Sequence, residues 1–119
     1  MAGGGWDAAA VERWWPGRFR RRRLHRKPRP AVIIQDDHFD TDSVTICPFT
    51  TNPADTPLIR LAIEPDQGNG LDTPSRIMVD QVTTVRRSRL GRKVGVLNNA
   101  NVLRLNRALV VFLGIASST

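Results

Sequence analysis

A mainly β fold of the α+β class, a small and strongly bent barrel with one C-terminal amphipathic helix, follows from three features of the sequence. Short apolar or alternating runs recur at close spacing between residues 31 and 97, with turn formers clustered between them. Helical spacing of apolar residues is sustained in one stretch only, beyond residue 98. And 119 residues suffice for one core but not for two.

The chain divides at about residue 27. Residues 1–26 read as a basic, irregular arm: a glycine-rich start, then Trp14-Trp15-Pro16-Gly17, then a run of arginines from Arg18 to Arg26. Within it, residues 8–15 favour about two helical turns, which Pro16 ends. The net charge of +7 belongs to this end. Residues 1–30 carry nine Lys/Arg against Asp7 and Glu12, whereas residues 31–119 carry nine of each sign. A basic arm can track phosphates electrostatically, but its charge says little about the folded body.

From residue 27 the elements follow in order. Residues 31–35, Ala-Val-Ile-Ile-Gln, are a buried β-branched strand, with Arg29 held extended between Pro28 and Pro30. A polar loop, residues 36–42, leads to a second strand over 44–49, where Pro48 argues for an edge or a bulge. Thr50 and Thr51 close that strand with hydroxyls. Residues 58–63 alternate as a half-buried strand, 64–74 form a loop rich in turn residues, and 77–85 read as a further strand. A basic connection over 86–93 precedes a last short strand at 94–97. Asn98 or Asn99 caps the helix, Val102, Leu105, Leu109 and Phe112 with Leu103, Val110 and Leu113 give its apolar face, and Gly114 stops it.

Several function classes drop out. No apolar run reaches the ~20 residues of a membrane span, and residues 1–30 hold no apolar signal-type segment. Cys47 is alone, so no intrachain disulfide forms, and it reads as a buried small hydrophobe in a reducing cytoplasm. His25 and His38 are far apart, and Asp36, Asp37, Asp40 and Asp42 lack the glycine and glutamate of a calcium loop, so neither a metal nor another cofactor is indicated. No phosphate-cradling glycine loop is present.

From residue 27 the chain resembles the MazF/PemK toxins, the endoribonuclease half of type II toxin–antitoxin pairs, and their relative CcdB. The resemblance lies in Arg29-Pro30-Ala31-Val32-Ile33-Ile34-Gln35, in the strand closing on Thr50-Thr51, and in Leu71 to Gln81. It continues through Arg89-Leu90-Gly91, Val94-Gly95-Val96-Leu97 and Leu109 to Ile115, about three quarters of the chain. It implies an SH3-like barrel, a cytoplasmic homodimer, a cognate antitoxin as partner, and metal-independent cleavage of single-stranded RNA. By this resemblance Arg29 and Thr50 are the catalytic pair. Thr51, Ser75, Gln81, Arg86 and Arg87 are candidates for binding RNA. Without the resemblance, Arg29 reads as a rim charge beside a carboxylate such as Asp36, and Thr50 as a strand-end hydroxyl. His38 has a suitable unperturbed pKa for a general base, although the family does not use a histidine there.

The family's opening turn and first strand have no counterpart in residues 1–26, which implies a barrel with an unpaired edge. Two other functions remain: a CcdB-like poison that traps DNA gyrase without cleaving RNA, and, from the missing strand, an inactive relic.

Overall fold

The computed structural model describes residues 9–15, 28–53 and 56–116. The arginine run of residues 18–26 lies outside them. Seven strands form one antiparallel sheet: β1 (Ala10–Trp14), β2 (Arg29–Ile33), β3 (Ser43–Thr50), β4 (Arg60–Ile63), β5 (Ser75–Met78), β6 (Thr83–Arg86) and β7 (Leu90–Val96). One helix, α1 (Asn99–Phe112), follows. The sheet runs β4-β5-β3-β2-β1-β7, with β6 beside β3.

The bent barrel of the sequence reading is realised as a coiled sheet that does not close, since β4 and β7 are its two ends. Both ends are shielded from edge pairing by simple means: β4 has four residues, and β7 exposes Arg92 and Lys93. The bend originates at β3. Its first half pairs with β6, from Ser43 opposite Arg86 to Ile46 opposite Thr83. Its last two residues pair with β5, Phe49 opposite Ile77 and Thr50 opposite Arg76. Pro48 occupies the gap between those two ladders, where a missing N–H removes no rung. Of the edge or bulge expected at Pro48, the edge is corrected, because β3 is central and Pro48 sits at an interruption near its end.

Residues 10–14 are a strand and not the two helical turns expected there. β1 lies between β2 and β7, with Val11 opposite both Val32 and Gly95. Ala10 and Val11 are fully buried. Burial of this alternating stretch from both sides outweighs the weak helix propensity of its Ala and Glu. The structure therefore contains a strand in the position where the sequence shows none, and the sheet is not opened there.

Alternation divides the core between the two sheet faces. On one face Val11, Val32, Cys47, Phe49, Ile63, Ile77 and Val79 pack together with Leu105 of α1. On the other are Ala10, Ala31, Ile33, Val44 and Ile46, flanked by Trp14, Val85 and Leu90. Only Leu105 is buried on α1, with Val102, Ala108 and Leu109 partly packed against the core. The helix face is narrower than the periodicity suggests, since Leu103, Phe112 and Leu113 are exposed. Its ends are as read from the sequence: the Asn98 side chain accepts from the Asn101 N–H at 2.8 Å, and Gly114 takes φ 75°.

The strand expected over 77–85 breaks into β5 and β6 around a 3₁₀ turn, Val79–Gln81. Two long-range contacts hold this turn. The Val79 N–H donates to the Ile59 carbonyl at 2.9 Å, and Asp80 takes both Nε and Nη2 of Arg60, at 2.8 and 2.9 Å. Further on, β7 begins at Leu90, inside the expected basic connection. No helix among the described residues is long and apolar enough to cross a membrane.

Candidate active site

Strand order brings the two expected catalytic residues together. β2 begins at Arg29, β3 ends at Thr50, and their ladder sets Ala31 opposite Pro48 and Ile33 opposite Ile46. The same register carried two residues further would put Arg29 opposite Thr50, at a Cα separation of ~5 Å. Both line a cavity of about 240 Å³ together with Pro30, Phe49, Thr51 and Ser75. Arg29 is exposed, and its guanidinium makes no hydrogen bond or ion pair among the described residues. Asp36, the partner of the structural alternative, is engaged with His38.

Thr50 is only 7% exposed. Its Oγ1 accepts the Asn52 N–H at 3.1 Å, so the hydroxyl proton remains available to donate. Ser75 lines the same cavity, but its hydroxyl donates to the Thr73 carbonyl at 2.9 Å. It can therefore offer lone pairs only.

A second cavity, of about 440 Å³, adjoins the first through Arg29 and Phe49. Its other walls are Trp14, Pro48, Arg60, Met78, Gln81 and Thr83. Gln81 thus reaches the site, from beside the Asp80 that grips Arg60. The Asp80 carboxyl is held below the usual carboxylate range, first by its hydrogen bonds from Arg60 and then by Gln81. Among the described residues lining either cavity, the ionisable groups are Arg29 and Arg60.

Arg86 and Arg87 do not join this site. Arg86 pairs with Ser43 at the opposite end of β3, ~23 Å from Thr50 at strand rise. Arg87 forms an ion pair with Asp40 at 3.3 Å. His38 lines neither cavity. It sits on the exposed loop after β2, its Nδ1 2.7 Å from Asp36 Oδ1, and that hydrogen bond raises its pKa. Asp36, Asp37 and His38 gather three ligand-type atoms within 4.8 Å there, on the loop rather than in the site. Burial, with the charge of Asp80 adding, pushes the Cys47 thiol up to about 12, so it stays an inert core group.

One charged residue of the cavities is not singled out by the sequence: Arg60 lines the larger one. Arg76 stands opposite Thr50 in the β3–β5 ladder but lines neither cavity. In the sequence Arg60 is only the polar position of an alternating strand, and Arg76 part of a family-like run.

A profile of the PemK-like, MazF-like toxins of type II toxin–antitoxin systems matches residues 17–113. The chain belongs to this family. It is 57% identical over 91 residues to a protein named as a probable endoribonuclease MazF of Mycolicibacterium smegmatis (strain ATCC 700084 / mc(2)155), covering 76% of this chain and 84% of that one. The fold is similar to that of the Mycobacterium tuberculosis toxin MazF-mt6, with a TM-score of 0.70 over 88% of this chain and 96% of the other at 22% identity. It is also similar to a mycobacterial endoribonuclease solved in complex with its cognate antitoxin, with a TM-score of 0.71 at 22% identity over 92% and 95% of the two chains. A MazE–MazF structure from Deinococcus radiodurans gives 0.71 at 16% identity over 94% and 99%. These likenesses favour a PemK/MazF toxin over the gyrase-poison alternative.

Proposed function

We propose that this PemK/MazF-family protein is a sequence-specific endoribonuclease, the toxin of a type II pair, cutting single-stranded RNA without a metal. The observation that carries this reading is the placing of Arg29 and Thr50 on neighbouring strands around one cavity, with Arg29 unengaged by any described carboxylate. The 57% identical relative named as an endoribonuclease supports it.

Cleavage proceeds by attack of a ribose 2′-hydroxyl on the adjacent phosphorus, and its proton passes to water. The O2′–P bond forms as the P–O5′ bond breaks, leaving a 2′,3′-cyclic phosphate, and the departing 5′-oxygen takes a proton from water. A strand laid across the rim puts its phosphate between the Arg29 fork and the Thr50 hydroxyl. Arg29 offers two N–H groups to the phosphoryl oxygens as charge builds on the phosphorane, and a preformed donor of this kind supplies several kcal/mol. Thr50 donates one hydrogen bond that fixes the phosphate, since its own oxygen is oriented by Asn52. Thr51 and Gln81 extend the RNA-binding surface, and Ser75 contributes as an acceptor.

The protein works in the cytoplasm as a homodimer restrained by a cognate antitoxin. Exposed Leu113 and Ile115, past the end of α1, give a dimer apolar surface to bury. The relatives solved as antitoxin complexes support such a partner. The test is cleavage of a mixed-sequence RNA by the wild type and by Arg29→Ala and Thr50→Ala, each checked for folding. Undiminished cutting by both folded variants would overturn the assignment.

A further inference from the structure

We infer that the larger cavity beside Arg29 is a nucleobase subsite, selecting a keto base, uracil or guanine, in the nucleotide next to the cleaved phosphate. This rests on the nuclease reading and extends it from chemistry to specificity.

Continuity is the first argument. Arg29 and Phe49 line both cavities, so a phosphate held at Arg29 has its neighbouring base at the mouth of the second. At about 440 Å³ that cavity is of small-ligand size. The walls are the second argument. Trp14, Pro48 and Met78 offer flat or soft apolar surface to the faces of an unstacked base, the way proteins commonly hold single-stranded RNA.

The third argument is the polar edge, which Asp80 fixes in place. Its carboxylate holds Arg60 Nε and Nη2 at 2.8 and 2.9 Å and accepts from Gln81 Nε2 at 3.3 Å. Arg60 keeps three of its five N–H groups after these bonds, and Gln81 keeps its amide oxygen. A guanidinium donor beside an amide acceptor matches the carbonyl and imino N–H of uracil or guanine. Adenine and cytosine put an amino group where that carbonyl would sit, facing donors with a donor. Sites that hydrogen-bond one base edge reject the wrong edge by about tenfold or more. Asp80 is then a positioning residue, acting through Arg60 and Gln81.

The experiment uses the full chain and a single-stranded RNA pool randomised around the cut, read by sequencing of products over time. The wild type is expected to favour uracil or guanine by about tenfold at one position flanking the cut. Arg60→Lys keeps the charge but loses the fork, and the preference at that position alone should fall to within about twofold. Trp14→Phe, the second variant, should raise KM with the base order at that position retained. A wild type favouring adenine or cytosine there overturns the subsite, as does an Arg60→Lys variant with an unchanged profile or an even loss at all positions. A wild type that cuts no RNA overturns the nuclease reading itself, and the subsite falls with it.

Discussion

Trp14 stands opposite Arg29 in the β1–β2 ladder, and the two line the same cavity. A strand from the least domain-like part of the sequence therefore supplies a wall of the candidate active site. Arg29 lies beside this tryptophan in the β1–β2 ladder and shares the smaller cavity with Thr50 of β3.

Removing only the hydroxyl of Thr50 tests its role more finely than alanine does. Thr50→Val keeps the β-branch and nearly the volume of this buried residue, so the strand end persists. Cleavage is expected to fall at least about tenfold, and Thr50→Ser to retain most of it, because it keeps the donor. Single-turnover rates at saturating RNA check this, with circular dichroism confirming the fold. A valine variant as fast as the wild type would return Thr50 to a structural role.

His38 should be dispensable. It sits outside both cavities, and the ionisable groups lining them among the described residues are arginines. His38→Gln is expected to cut within about twofold of the wild type. The hydrogen bond from its Nδ1–H to Asp36 raises the His38 pKa above its ordinary 6.5. The charged contact is therefore complete below that value and fades as pH rises through the higher folded one. Proton NMR of the ring should show this titration, and Asp36→Asn should bring it back towards the ordinary value.

The Arg60–Asp80 pair carries the opposite pH dependence. Asp80 is held below its ordinary carboxylate pKa by Arg60, so the pair stabilises above ~4 and fades as pH falls through the lower folded value. Asp80→Asn is expected to cost about 1 kcal/mol at pH 7, as for a partly exposed pair of good geometry. That difference should shrink in acid. Thermal melts of both proteins at pH 7 and pH 3 measure it, and a constant gap would refute it.

What the sequence made legible was what neighbouring residues decide. The Asn98 cap, the Gly114 stop and the buried runs behind β2 and β3 are local signals, and so is the hydroxyl pair that closes β3. What it hid depends on partners distant in the chain. The break at Val79–Gln81 exists because Ile59 and Arg60 reach it. β7 starts among arginines because an edge strand tolerates charge on its outward side. Arg76 becomes a neighbour of Thr50 only when β5 pairs with β3. Family resemblance supplied the roles proposed for Arg29 and Thr50, and the pairing of β2 with β3 supplied their shared cavity.

Gly95 tests how the loop of residues 64–74 locks onto β7. A methyl group there would lie 2.4 Å from both the Gly68 carbonyl oxygen and the Asn69 carbonyl carbon. Both are backbone atoms, themselves tied by Asp66 Oδ1 accepting the Gly68 and Asn69 N–H groups at 2.8 Å. Gly95→Ala is expected to destabilise by about 3 kcal/mol or more. At Gly114 a methyl group meets nothing within 4 Å, so alanine there should cost about 1 kcal/mol, from its φ of 75° alone. Chemical denaturation of the two variants ranks them, and equal losses would mean that the Gly95 loop yields freely.

The largest effect is expected from the N-terminal end. Residues 27–119 contain most of the stretch that matches the toxin family, residues 17–113, yet lack β1. In the sheet β1 lies between β2 and β7, so its removal leaves β2 unpaired on one side and β7 without its one strand partner among the described residues. Fully buried Ala10 and Val11 go with it, as does the Ala9 carbonyl that accepts the Leu97 N–H at 3.0 Å. Val11 packs in the same cluster as Val32 and Leu105, so its loss opens the core under α1 as well. With two exposed edges and a cavity of side-chain size, residues 27–119 alone should be unfolded or aggregated at 25 °C. Residues 9–119 should retain dispersed amide resonances and a cooperative melt. Were 27–119 to fold cooperatively and cut RNA as fast as the full chain, β1 would be an accessory, and Trp14 could have no part in reading the base.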